Sequence, residues 1–341
     1  MNRVEITMNK KCITFFLILG AIVVSGCDSK DSGLQSVDSK SNLANSPYES
    51  TSVAMELIQV SPHVYYVAGP PGAPTDKEGF MSNAGVVVTD EGVVVIDALG
   101  TPSLAYLLIS KIREITDKPV TKVIVTHYHA DHIYGLQVFK ELGAEIIGPS
   151  GAKTYLESDS AEARLKERRE SLFPWVNETT YLVKPDQYIS ENTQFTMGGI
   201  DFVLSLQGST HSDGDMTIGV VQDNLLFSGD LIFQGRVPFV AGSDINHWIE
   251  HLSELETKKY EVIVPGHGKA ATDPLDAVNF TLGYLDILHK NMFAAVDTMT
   301  PFDEAYEAMD LGIYANLPAS QVNRMNAYFI YIGLEASSVN E

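Results

Sequence analysis

Six consecutive residues, His127-Tyr128-His129-Ala130-Asp131-His132, place three imidazoles and a carboxylate in one short stretch of chain. Imidazole nitrogen and carboxylate oxygen are the donors that divalent cations such as zinc accept. The stretch follows the apolar run Val123-Ile124-Val125 and precedes a helix-like pattern over residues 133–142, so it falls where a strand ends and a helix begins. Extended chain sends residues i and i+2 to one side, which lets His127 and His129 converge on one cation. The turn that follows carries Asp131 and His132 to a neighbouring position that the first two histidines cannot fill. Independent histidines rarely produce such a cluster, and the pattern points to a metal site.

Three further motifs follow in order: His211 within Gly208-Ser209-Thr210-His211-Ser212-Asp213-Gly214-Asp215, then Ser228-Gly229-Asp230, then Pro265-Gly266-His267-Gly268. Together with the first, over residues 54–267, they resemble the metallo-β-lactamase-fold hydrolase superfamily. The resemblance implies an α/β fold, an αβ/βα sandwich, and a site for two zinc ions. It gives His127, His129 and His211 to one ion and Asp131, His132 and His267 to the other, with Asp230 bridging. A bridging aspartate departs from true metallo-β-lactamases and matches glyoxalase II-like thioesterases and lactonases. The alternative for Asp230 is the cap of a turn, where Asp is common. The segment from Gly229 to Val240 is similar to an exported, quinoprotein-associated branch of the superfamily.

Two zinc ions held roughly 3.5 to 4 Å apart generate hydroxide at neutral pH and polarise a carbonyl. The resemblance therefore implies hydrolysis of a small-molecule ester, thioester, lactone or amide, with Asp131 orienting the nucleophile and shuttling a proton. Asp97, closing the apolar run 93–96, is a candidate hydrogen-bond partner for a ligand histidine. Rival readings are β-lactam hydrolysis, an iron-dependent persulfide dioxygenase-like oxidoreductase using the same ligand types, and a catalytically idle binding protein. His63, His247, His251 and His289 read as ordinary surface or core histidines. Phe80, Tyr128, Tyr134, Arg236, Phe239 and Trp248 either line a pocket or simply pack.

Elements that could position these side chains are legible in the pattern. Strands are predicted at 55–60, 64–67, 84–88 and 92–97, the last two joined through Asp90-Glu91-Gly92 as a hairpin. A helix is predicted over 102–115 with Thr101 as its cap. Runs 194–197 and 201–206 flank Gly198-Gly199, and 217–221 and 225–228 flank Asp223-Asn224, giving two more hairpins. Further helices are expected at 244–257, 275–299 and 319–334. The charged stretch 157–171 is helical and is either an insertion near the site or, the favoured reading, a solvated face.

At 341 residues the chain is long enough for one large or two ordinary domains, and its 45% apolar content is ample for a buried core. Its net charge of −21, with 44 acidic against 23 basic residues, argues against nucleic acid as a partner. Lys10 and Lys11 precede an uncharged apolar run over 12–24 that is too short for an ordinary membrane span but suits a signal-peptide core, with translation starting at Met1 or Met8. The run ends in Val24-Ser25-Gly26-Cys27, which resembles a bacterial lipobox. That resemblance implies removal of residues 1–26 and a lipid on Cys27, making a membrane-anchored lipoprotein of the cell envelope. Residues 27–52 are rich in Ser, Asp and Asn and read as a disordered tether, leaving 53–341 as the hydrolase domain with a helical C-terminal region. The only cysteines are Cys12 and Cys27, so the folded domain has neither a disulfide nor a thiolate ligand.

Overall fold

The computed structural model describes residues 46–256 and 260–338. The apolar leader, Cys27 and most of the tether lie outside the described residues. Residues 46–52, expected to continue the tether, are held against the folded body: Tyr48 Oη donates to Glu141, Thr51 and Ser52 hydroxyls donate to Glu78, and the Trp175 indole donates to the Ser50 carbonyl.

The first sheet has seven strands in chain order: β1 (Ile58–Gln59), β2 (Val64–Val67), β3 (Ala84–Val88), β4 (Val93–Ile96), β5 (Val120–Ile124), β6 (Glu145–Pro149) and β7 (Gln187–Ile189). The pairs from β1 to β4 are antiparallel, and those from β4 to β7 are parallel. The parallel part needs crossovers, supplied by α1 (Pro102–Ile115) and by α2 (Ala130–Ile133) with α3 (Leu136–Glu141); α4 (Ala152–Leu156) and α5 (Asp159–Ser171) lie between β6 and β7. The second sheet contains β8 (Thr193–Met197), β9 (Ile200–Gly208), β10 (Asp215–Val220), β11 (Leu225–Phe233) and β12 (Val262–His267). Its order is β12-β11-β10-β9-β8, antiparallel except for β11 with β12. Outside it lie α6 (Ile245–Glu256), α7 (Pro274–Asp297), α8 (Phe302–Ala308) and α9 (Asn323–Ser338).

Strand β4 shows why this is a four-layer sandwich. Val93 and Val95 join the core beneath α1 and α3, whereas Val94 and Ile96 join the core between the sheets. All four are buried, as expected of a strand covered on both faces. Phe202, Leu204, Ile218 and Phe227 of the second sheet meet Ile96 and Ile124 across the interior, and Leu226, Ile232 and Phe233 face Trp248, Leu285 and Leu288 on the outside. The expected αβ/βα sandwich is present.

Helix α1 begins at the predicted residue, with Thr101 accepting from Leu104 N at 3.2 Å. All three predicted hairpins form. The strand predicted over 55–60 shrinks to two residues because it pairs only along the short edge of β2. The helix predicted over 133–142 is broken at Gly135. There the chain runs so close to β4 that a Cβ would stand 1.9 Å from the Ala98 carbonyl oxygen. Strand β5 ends at Ile124, so His127 and His129 sit beyond it on irregular extended backbone, with His129 as N-cap residue of α2.

Candidate metal centre

The chain ends of β4, β5, β11 and β12 open on one rim of the sandwich, where loops can supply side chains without breaking the sheets. His127, His129, Asp131 and His132 come from the β5–α2 connection, His211 from the β9–β10 loop, Asp230 from inside β11 and His267 from the last position of β12. The structure brings all seven together. His127, His129, His211 and Asp230 offer donor atoms within 4.8 Å of one another, and Asp131, His132 and His267 form a second such group.

Asp230 joins the two groups. Its Oδ1 lies 3.2 Å from His132 Nε2, and its Oδ2 lies 3.2 Å from His267 Nε2, 3.3 Å from His211 Nε2 and 3.9 Å from His127 Nε2. Asp131 Oδ2 is 3.3 Å from His267 Nε2 and 3.7 Å from His132 Nε2. Ligands bound tetrahedrally at about 2.0 to 2.2 Å stand about 3.3 to 3.6 Å from one another. The separations here, 3.2 to 3.9 Å, bracket that range, so the donor atoms stand about as far apart as atoms sharing a cation.

On His267, His132 and His127 the other ring nitrogen is occupied, which fixes the nitrogen each of these rings turns to the centre. His267 Nδ1 lies 2.7 Å from the Met81 carbonyl, which can only accept, so Nδ1 carries the hydrogen and Nε2 faces inward. Asp97 accepts from Thr126 N, Thr126 Oγ1 and His132 Nδ1, each at 2.8 Å. The Thr126 hydroxyl, its hydrogen given to Asp97, accepts in turn from His127 Nδ1 at 3.0 Å. One carboxylate thus orients two histidines of different groups, as expected for Asp97 from its place after β4.

Besides His211 Nδ1, whose ring turns Nε2 to the centre, the cluster atoms left buried with no hydrogen-bond partner are His127 Nε2, His132 Nε2 and Asp230 Oδ1. Buried polar atoms are rarely left so, and here three aim into one space. The donors fit divalent metal. Without it, charge is balanced by protons. Burial opposes charging His132, but the carboxylates of Asp230, Asp131 and Asp97 outweigh it and push its pKa well above the usual histidine value. His267 is raised against the same opposition, chiefly by Asp230. Burial takes His211 down to about 3. Burial likewise opposes ionisation of Asp230, yet His267 and His132 hold its carboxyl well below the ordinary carboxylate range. Cation binding would displace the protons on His132 and His267.

Several supporting residues carry no signal in the sequence. Asn83 donates from Nδ2 to the carbonyls of Pro265 at 2.7 Å and Gly268 at 2.8 Å, clamping the turn that presents His267. Asp215 accepts from Thr210 Oγ1, Ser212 N and Ser212 Oγ, shaping the His211 loop; burial raises its carboxyl to about 6. At Gly266 a Cβ would stand 1.9 Å from Asp230 Oδ1 and 2.7 Å from the Gly229 carbonyl carbon. Gly266→Ala is therefore expected to lower bound metal as severely as loss of a ligand, though Gly266 offers no donor. Metal content by mass spectrometry beside circular dichroism checks this, and full metal loading would refute it.

Above the centre lies a cavity of about 380 Å³. Tyr128, Phe239 and Arg236 line it, whereas Phe80, Tyr134 and Trp248 do not and are buried as packing residues. The Trp248 indole donates to the Leu231 carbonyl at 3.1 Å, and its ring meets that of His211 edge-on. The charged stretch 157–171 is exposed over most of its length, as a solvated face would be, but it also lies near the site, the other reading of this stretch. Ala161 and Leu165 are buried, and Arg164 and Arg168 of α5 turn to the cavity. His63 pairs with Asp223 at 2.9 Å, and His247 faces His251; neither these nor His289 joins a donor group.

Residues 78–267 match the family model of the metallo-beta-lactamase superfamily. A metallo-beta-lactamase type 2 from Bacillus sp. (strain 170) is 26% identical over 198 residues, covering 56% of this chain and 68% of the relative. Metallo-beta-lactamase IND-1 of Chryseobacterium indologenes is 24% identical over 210 residues, covering 60% and 77%. Among solved structures, a metallo-beta-lactamase from Pontibacter korlensis superposes with a TM-score of 0.56 at 20% identity, over 68% of this chain and 99% of that one. The stereoselective inverting sec-alkylsulfatase Pisa1 from Pseudomonas sp. does so with 0.64 at 18% identity, over 84% and 52%. Site geometry, family model and fold agree: the chain belongs to the metallo-beta-lactamase superfamily, as a hydrolase with a His/Asp metal-binding cluster.

Proposed function

We propose that the protein binds two zinc ions, one on His127, His129 and His211 and one on Asp131, His132 and His267, with Asp230 shared, and hydrolyses an ester, thioester, lactone or amide. The observation that carries this is the single carboxylate, Asp230, facing Nε2 atoms of both donor groups at 3.2 to 3.3 Å. Bound there, the ions would supply hydroxide at neutral pH and polarise a carbonyl oxygen. The chain's own residues do the rest. Asp131, whose side chain is about one-fifth exposed, is the more open of the two cluster carboxylates that line the cavity and is placed to orient a nucleophile and pass on its proton. Tyr128 and Tyr155, stacked at 4.2 Å, form an apolar wall for the body of a substrate.

β-Lactam hydrolysis is the second reading, favoured by what the relatives are named. Against it stand the shared Asp230, which matches thioesterases and lactonases, and a described chain without cysteine. Zinc-loaded full-length protein should hydrolyse an acyl-glutathione or a lactone with kcat/KM at least about tenfold above that for a penicillin or a carbapenem. A β-lactam value of about 10⁴ M⁻¹ s⁻¹ or more, with negligible turnover of the others, would reverse the ranking. One iron per chain, in protein purified without added metal, would support the oxygenase instead.

A further inference from the structure

Helix α6 buries Ile245, Trp248, Leu252 and Leu255, spaced as one helical face, against the second sheet. His247 and His251 stand one position before Trp248 and Leu252. They are four residues apart, so one lies a turn above the other on the flank of α6 beside the end of β9. Both are half-buried. Their Nε2 atoms are 2.8 Å apart, and the rings meet edge-on with 4.3 Å between centroids. Neither belongs to the donor groups around Asp230.

What the other ring nitrogens face fixes where the hydrogens are. His247 Nδ1 lies 2.7 Å from the Ser209 carbonyl, which can only accept, so Nδ1 carries the hydrogen. His251 Nδ1 lies 3.1 Å from Gln207 Oε1. The Gln207 amide is itself oriented: its Nε2 donates to the Ser205 carbonyl at 3.0 Å and to Thr217 Oγ1 at 3.1 Å, which leaves Oε1 to accept from the imidazole. Both histidines therefore turn a lone pair toward the other. Two acceptors at 2.8 Å repel unless a cation sits between them, and that cation is either a shared proton or a metal ion.

We propose that His247 and His251 form a second metal site, separate from the centre around Asp230, for one divalent ion of the copper(II) or nickel(II) class. Each ring gives its remaining N–H to a carbonyl oxygen, the support that metal-bound histidines almost always have. The spacing selects the class. Two bonds of about 2.0 Å meeting at a right angle put their nitrogens about 2.8 Å apart, whereas a tetrahedral ion spreads them to about 3.3 Å or more. Right-angled, tetragonal coordination by nitrogen belongs to copper(II) and nickel(II). Among the described residues no third histidine or carboxylate joins the pair in a donor group, so water completes the coordination and the ion is exchangeable. The site borders the loop of the main centre, since Ser209 precedes His211 by two residues and Trp248, next to His247, meets the His211 ring edge-on at 5.1 Å.

The test titrates copper(II) into zinc-saturated full-length protein and follows bound copper, released zinc and electron paramagnetic resonance together. One copper ion per chain should bind without loss of zinc, with the spectrum of tetragonal copper(II) and, in pulsed measurements, two coordinated imidazoles. His247→Ala and His251→Ala should each weaken this binding at least about a hundredfold, the advantage lost when two linked donors become one. The double substitution should add much less than the first did, and zinc content and circular dichroism should stay those of the wild type. His289→Ala, which removes a half-buried histidine of α7 outside both sites, should leave copper binding unchanged. The imidazole count is made on the wild type and so stands whether or not the variants fold. Copper that enters only as zinc leaves, fewer than two imidazoles on the bound ion, or an affinity indifferent to both substitutions would overturn the proposal. So would a zinc-saturated wild type that takes up no copper, which would leave the two rings sharing a proton. No turnover enters these readouts, so they are independent of the hydrolase reading.

Discussion

Asp230→Asn is expected to lower turnover at least about a hundredfold and to leave the protein with about one metal ion in place of two, while circular dichroism stays that of the wild type. The magnitude follows from what the carboxylate faces. Both oxygens turn to ring nitrogens, Oδ1 to His132 and Oδ2 to His211 and His267, so the charge serves both donor groups. An amide is neutral, and one of its two ends is an N–H donor that would turn toward ring nitrogens whose lone pairs are meant for metal. Loss of a single preorganised electrostatic partner in a dry site costs roughly 10² to 10³ in rate. The fold should survive because the Asp230 side chain makes no hydrogen bond to backbone among the described residues, while β11 is held on both sides by β10 and β12. Mass-spectrometric metal content and hydrolysis rates of the same preparations check the claim. Two retained ions with full activity would show that Asp230 is not shared.

How far the sequence led depended on the range of the interaction. Local periodicity was enough for α1 with its Thr101 cap, for the three hairpins, and for the cluster from His127 to His132. His211, Asp230 and His267 were reached only through the resemblance of their motifs, since residues separated by tens of positions in the chain say nothing of contact unless the topology is known. Backbone supports were beyond reach for the same reason. Asn83 acts on carbonyls 182 and 185 residues away, and nothing near Asn83 in the chain marks it. Composition also misled where both faces of an element mattered. Residues 157–171 are rich in charge and were read by preference as solvated, yet a helix packed by Ala161 and Leu165 turns two of its arginines into the cavity. The break at Gly135 needed knowledge of how close the Ala98 carbonyl would come.

Asp97 is the other residue whose loss should matter most, although it belongs to neither donor group. It holds φ at +61°, a conformation that ordinary L-residues avoid and that Asp and Asn tolerate best. From that position its carboxylate accepts from His132 Nδ1 and from Thr126, which in turn holds His127. Partners of this kind, acting through a ligand histidine, are worth roughly 10- to 100-fold in metal affinity. Two explanations for the residue compete, and substitutions separate them. If Asp97 serves only to let the backbone turn, Asp97→Gly should be the mildest change, because glycine adopts positive φ without cost. If it serves to orient the histidines, Asp97→Asn should be milder than Asp97→Gly: it keeps the turn and one acceptor oxygen, whereas glycine leaves His132 Nδ1 and Thr126 without a partner. We expect the second order, with zinc affinity down about tenfold in Asp97→Asn and about a hundredfold in Asp97→Gly, measured by competition with a chromogenic chelator. Affinity preserved in Asp97→Gly would mean that the backbone turn, and not the carboxylate, is what the metal centre needs from this position.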